Sequence, residues 1–111
     1  MVGMSEMAVL VIRVRKGQAA EYEKLFEADE LPRWRDYHRR GLFKSARIFR
    51  SAFGTHERDD IANYVIAVES AEEGHHEHDN DPGFQAFNRD ADAFQPEDPF
   101  VFGGEPLFSV G

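Results

Sequence analysis

The sequence has no cysteine in its 111 residues, so disulfides, thiolate metal sites and cysteine nucleophiles are all excluded. No long hydrophobic run is present. The apolar stretch near the N-terminus, AVLVI at 8–12, is too short for a signal peptide or a membrane span, and no basic segment precedes it. A soluble cytoplasmic protein with no membrane partner is the expectation. Gly-rich phosphate loops, a nucleophile elbow and nucleic-acid motifs are missing as well. So are internal repeats, low-complexity tracts and linkers, which leaves residues 1–111 as one domain.

Aromatic residues are plentiful, with ten Phe, and a hydrophobic fraction of 41% fits a folded chain with its own core. The net charge of −8 is unevenly distributed. Residues 31–50 hold seven Arg or Lys against one Asp, while residues 69–81 hold six carboxylates and no Lys or Arg. The overall acidity argues against nucleic-acid binding, which depends on neutralising phosphates. The basic segment either attracts an anionic ligand or forms a solvated face that partly pairs with the acidic one.

MAVLVIRVR reads as a first strand, apolar enough to be buried on both faces. Gly17 opens a helix with Ala19, Tyr22, Leu25 and Phe26 on one side, and Pro32 is expected to break or kink it near Leu31. RWRDYHRR forms a second helical piece closed by Gly41. Strands follow at 42–53 and 61–69. Ser70 with Glu73 makes a capping box, and Asp81-Pro82 supplies a second helix start. Phe84, Phe87, Ala91 and Phe94 form a core-facing stripe, Pro96 and Pro99 end that helix, and PLFSV at 106–110 is the last strand.

The order is β-α-β-β-α-β, the ferredoxin-like α+β arrangement with a four-stranded antiparallel sheet. Two helices cover only one face of such a sheet, yet its first and third strands read as buried on both. A second copy is the simplest cover, which predicts a homodimer packed face to face as a dimeric α+β barrel. QPEDPFVFGGEPLF, with Phe100 and Phe102 as anchors, is placed to reach across to that partner.

The run YVIAVESAEEGHHEHDNDPGFQAF, residues 64–87, resembles the third strand and second helix of antibiotic-biosynthesis-monooxygenase-like proteins, members of the dimeric α+β barrel superfamily. Glu69, Ser70, His78, Phe84 and Phe87 occupy the places of that family's strand-ending acid, short cap, helical histidine and aromatic second half. The resemblance implies a small homodimeric barrel. It also implies, as one possibility, a monooxygenase or isomerase that needs no cofactor and acts on an aromatic or polycyclic small molecule. The alternative is a non-catalytic protein that binds a small ligand.

GHHEHDND, residues 74–81, carries three of the five histidines and admits three readings. On one helix, His75, His78 and Asp79 share a face and are able to hold a divalent metal ion. No H-E-x-x-H or comparable signature supports this, and no metal is assigned. A solvated, acidic helix end is the simplest reading. Between these stands His78 as a general base with Asp79 as the carboxylate that orients it. His76 points away from that face. A second constellation joins Trp34, Tyr37 and His38 to Arg33, Arg35, Arg39 and Arg40, an aromatic platform suited to a flat anionic or phenolic ligand. Tyr22, Trp34 and His38 are the expected pocket wall. Arg47 joins the candidate ligand-binding residues as the one charge on a strand face otherwise formed by Phe43, Ser45 and Phe49.

Overall fold

The structure is a computed structural model, and it describes residues 5–110. The start of the chain, read from sequence as a loose lead-in, falls partly outside these residues. Ten segments follow in order: strand β1 (Ser5–Arg15), a 3₁₀ turn (Lys16–Gln18), helix α1 (Ala19–Leu25), a π turn (Phe26–Glu30), helix α2 (Leu31–Arg39), strands β2 (Phe43–Arg50) and β3 (Ile61–Ala71), helices α3 (Gly74–Asp79) and α4 (Pro82–Asp92), and strand β4 (Phe100–Gly104). The sheet is antiparallel with strand order β2-β3-β1-β4, as in a ferredoxin-like α+β fold. No helix among the described residues is long and apolar enough to cross a membrane.

The helices lie on one face of the sheet. Ile12 and Val14 of β1 and Tyr64, Ile66 and Val68 of β3 meet Tyr22, Phe26, Trp34, Tyr37 and Phe87 in a single buried cluster. Pro32 is expected to break or kink the first helix near Leu31; the chain stays helical from Ala19 through Arg39 but changes from α to π over Phe26–Glu30. A wide turn absorbs the proline, with Leu31 N–H donating to Phe26 O five residues back. At Pro32 itself no N–H is available to donate. The same turn keeps one face in register. Steps of four residues overshoot an α-helical turn by about 40° each, and the extra residue takes up that drift, so Tyr22, Phe26, Glu30, Trp34 and Tyr37 are all buried. Gly41, at φ 78°, ends α2 in the left-handed conformation, with Gly41 N–H bonded to His38 O and Leu42 N–H to Tyr37 O.

Three sequence expectations need correction. Ser70 caps no helix: β3 continues through Ala71 because Ser5 and Phe43 pair with its last residues, and α3 begins only at Gly74. The last strand is Phe100–Gly104, not 106–110, and α4 ends at Asp92, ahead of both prolines. Phe43 does not share a face with Ser45, Arg47 and Phe49. A bulge between Phe43 and Ser45 turns Phe43 toward the helices, where it is buried, and leaves the other three on the opposite face.

That opposite face is bare. Val9, Val11, Val65 and Ala67 are half-buried there, and Phe49, Phe100 and Phe102 are 58%, 47% and 61% exposed. β1 and β3 are thus apolar on both faces, as their sequences read, but this chain buries only one of them.

Candidate functional site

Beneath β4 the helical layer leaves a gap. Gly103 lies beside Ala8, on the helix side of the sheet, and brings no side chain to fill the space. The result is a cavity of about 460 Å³ between the β1–β4 end of the sheet and the helices. Leu10, Ile66 and Val68 line it from the sheet, Trp34 from α2, His75 and His78 from α3, and Phe84 from α4.

His78 is the most deeply held of these polar groups. Its Nε2 lies 2.8 Å from Glu30 Oε2, and both residues are buried, Glu30 to 3% exposure. A carboxylate only accepts, so His78 Nε2 carries the proton and donates. The carboxylate is held from the other side by Arg33, whose Nη1 lies 2.5 Å from Glu30 Oε1 and whose Nη2 lies 2.7 Å from Asp29. The imidazole is clamped between rings, with Phe84 at 4.0 Å between centroids, Phe43 at 5.3 Å and Tyr37 edge-on at 5.5 Å. Among the described residues His78 Nδ1 makes no hydrogen bond, which leaves it free to take a proton. This Arg33–Glu30–His78 chain fixes tautomer and ring orientation, as a general base requires.

The geometry corrects the role given to Asp79. Its carboxylate is 71% exposed and stands 3.7 Å from His78 Nδ1, beyond hydrogen-bond reach, whereas Glu30 bonds the ring at Nε2. Sequence reasoning passed over Glu30. The available signal was its place on the 22-26-30-34-37 stripe, where a lone carboxylate among aromatics is a buried charge in need of a partner.

The other candidates separate. Trp34 lines the cavity while also packing edge-on against Phe26 at 5.0 Å. Tyr22 faces a different hollow, bounded by Leu31, Ile48 and Tyr64. His38 is exposed and ties α2 to β2 through its Nδ1, 3.1 Å from Phe43 O. Arg47, opposite Ala67, stands on the bare face of the sheet and touches no part of the cavity. The aromatic platform also divides: Tyr37 turns inward while Arg39 and Arg40 pair with Asp36, and Arg40 reaches Glu77 at 3.2 Å. That last pair joins the basic segment to the acidic one.

Tyr37 and Asp81 hold α2 and α4 together beside the site. Tyr37 donates to Asp81 Oδ2 at 2.9 Å. Burial, and then this bond to a carboxylate, push the phenol up to about 12. Burial alone would raise the Asp81 carboxyl, but hydrogen bonds from Tyr37, Gly83 N–H and Phe84 N–H outweigh it and hold it below the usual range. Asp81 is the expected cap of α4, accepting from Gly83 N–H at 2.8 Å.

His75 Nε2 lies 3.2 Å from Glu6 O, and His76 is exposed beside Asn80. Among the described residues, no three His, Asp or Glu side chains are grouped to hold one metal ion. GHHEHDND thus contains one anchored histidine, two looser ones and a helix cap.

No protein-family model and no curated protein matches the chain. Solved structures do. A Nitrosomonas europaea protein provisionally assigned as an antibiotic biosynthesis monooxygenase superposes with TM-score 0.74 at 12% identity, over 100% of this chain and 98% of its own. SnoaB, a cofactor-independent oxygenase from Streptomyces nogalater, gives 0.62 at 17% identity, over 96% and 99%. A dimeric ferredoxin-like protein of unknown function from Thermobifida fusca gives 0.67 at 12% identity, over 94% and 92%. The chain has the ferredoxin-like α+β fold of antibiotic-biosynthesis-monooxygenase-like structures.

Proposed function

We propose that the protein is a homodimeric, cofactor-independent oxygenase acting on an aromatic small molecule held between sheet and helices. The observation that carries this reading is the buried Glu30–His78 hydrogen bond in the wall of an aromatic-lined cavity. In it, His78 Nδ1 takes the proton of a phenol or similarly activated group. Glu30 stabilises the imidazolium that forms, and the electron-rich substrate anion then reduces O₂. Trp34 and Phe84 supply flat apolar walls. The likeness in fold to SnoaB supports oxygen chemistry as the class.

The test is oxygen uptake with a panel of polycyclic phenols, paired with binding measured on the same compounds. His78→Ala should abolish uptake and leave binding within a few-fold, and Glu30→Gln should lower kcat while changing KM little. Uptake that survives in His78→Ala refutes the assignment of the base. Binding with no uptake for any compound favours a non-catalytic ligand-binding protein.

The homodimer rests on the bare face, where three exposed Phe side chains stand beside four half-buried aliphatic residues. The fold is shared with a dimeric neighbour. Phe102→Asp should convert a dimer to a monomer in light scattering, and a wild-type monomer would defeat the proposal.

A further inference from the structure

The ionisable lining of the cavity has one sign. Glu6, Glu30, Asp79 and Glu105 border it, and no lysine or arginine does. The strongly basic segment 31–50 could attract an anionic ligand, but none of its cations lines the cavity. Arg33 is held by Asp29 and Glu30, Arg40 by Asp36 and Glu77, and Lys44 donates to Ser5 Oγ at the end of the sheet. Among the described residues, the only other ionisable lining groups are His75 and His78, placed against Glu6 O and Glu30 respectively.

The two kinds of lining are also segregated. Leu10, Ile66, Val68, Phe43 and Trp34 are buried or half-buried, whereas Glu6, Asp79 and Glu105 are exposed. An apolar, aromatic floor therefore sits below a rim of three solvated carboxylates. A flat hydrocarbon gains by entering, and a positive substituent left at the rim is attracted there. A carboxylate or sulfonate in the same position is repelled, with no lysine or arginine among the described lining residues to compensate it.

We propose that this cavity is selective for aromatic compounds bearing a cationic amino group and discriminates against aromatic carboxylates. The inference rests on the cavity being the ligand site, as the proposed function has it. It does not depend on His78 acting as a base. Three carboxylates acting through a largely aqueous rim should favour cation over anion by about tenfold or more at low ionic strength.

Trp34 provides the readout, because it is the only tryptophan in the chain and it lines the cavity. Its indole N–H resonance, in ¹⁵N-labelled protein at about pH 8 and low ionic strength, is titrated with 2-naphthylmethylammonium, 2-naphthalenemethanol and 2-naphthoate. The expected order is ammonium tightest, alcohol intermediate and carboxylate weakest. A variant combining Glu6→Gln, Asp79→Asn and Glu105→Gln should collapse that order while leaving the affinity for the alcohol unchanged. Equal or tighter binding of naphthoate overturns the proposal, as does a cation preference that survives in the triple variant. If no probe moves the indole signal, the cavity itself is not a ligand site and the proposed function falls with it. Loss of turnover in His78→Ala, or its persistence, leaves this charge preference untouched.

Discussion

Replacing Gly74 by alanine should weaken the fold through contact with the backbone. Gly74 has no unusual φ, and what it provides is room. A Cβ at this position would lie 2.3 Å from Leu42 O and 2.8 Å from Ser70 Cβ. Ordinary carbon–oxygen approaches are about 3.3 Å or more, so something must move by about 1 Å. Leu42 O is not free to yield, since it accepts the Ala71 N–H bond at 2.9 Å where β3 ends. The start of α3 must lift instead. Overpacking of this kind costs about 1–3 kcal/mol, and a rigid backbone partner places it near the top of that range. Alanine recovers up to about 1 kcal/mol through helix propensity. The net expectation is a loss of about 2 kcal/mol, seen as a lower urea midpoint at unchanged slope. Because α3 carries His78, the change should also loosen the contact with Glu30. A midpoint shift worth less than about 0.5 kcal/mol, the usual scale of neutral surface changes, would show that α3 is not seated tightly against Leu42.

Two further predictions concern titration and capping. All three tyrosines are held protonated by the fold: Tyr37 and Tyr64 are raised to about 12 by burial and by bonds to Asp81 and Glu23, and Tyr22 is raised further by burial beside Tyr64 and Glu30. A phenol that ionises more readily when unfolded contributes stability that is complete below about pH 10 and lost as pH rises through the folded value. Tyrosinate absorbance should therefore appear together with loss of circular dichroism, and non-cooperative ionisation of even one tyrosine near its ordinary value contradicts this. Asp81→Ala removes both the α4 cap and the acceptor for Tyr37, and should cost about 1–2 kcal/mol near neutral pH. Since the Asp81 carboxyl is lowered in the folded state, its stabilisation is present above the ordinary aspartate range and lost as pH falls through the folded value. The gap between wild type and variant in denaturant melts should narrow in acid, and a constant gap counts against the assignment.

The sequence was most legible where one signal dominated. The apolar runs of β1 and β3, the Asp81-Pro82 start and the Gly41 stop all lie where residue chemistry puts them. Errors arose where a partner segment decides. Ser70 and Glu73 form a plausible cap, yet β3 continues because it is paired along both edges, and Ser70 Oγ is left buried without a partner. PLFSV has better strand residues than FVFGG at its end, but Phe100–Gly104 is the stretch that lies along the free edge of β1. Residue type was enough to single out His78 and Trp34, which the fold places at one cavity, whereas Glu30 was hidden because its burial depends on a turn that is not α-helical.

That turn at Phe26–Glu30 acts as a phase correction written into the chain. Winding the same residues as regular α-helix would rotate everything downstream by about 100°. Trp34 and Tyr37 would swing out of the core together, and Arg33 would lose its line to Glu30. A one-residue insertion between residues 26 and 30 should therefore be far less tolerated than a one-residue deletion, which the turn absorbs by closing to an α-turn. The length of this one turn couples the packing of α2 to the alignment of the site.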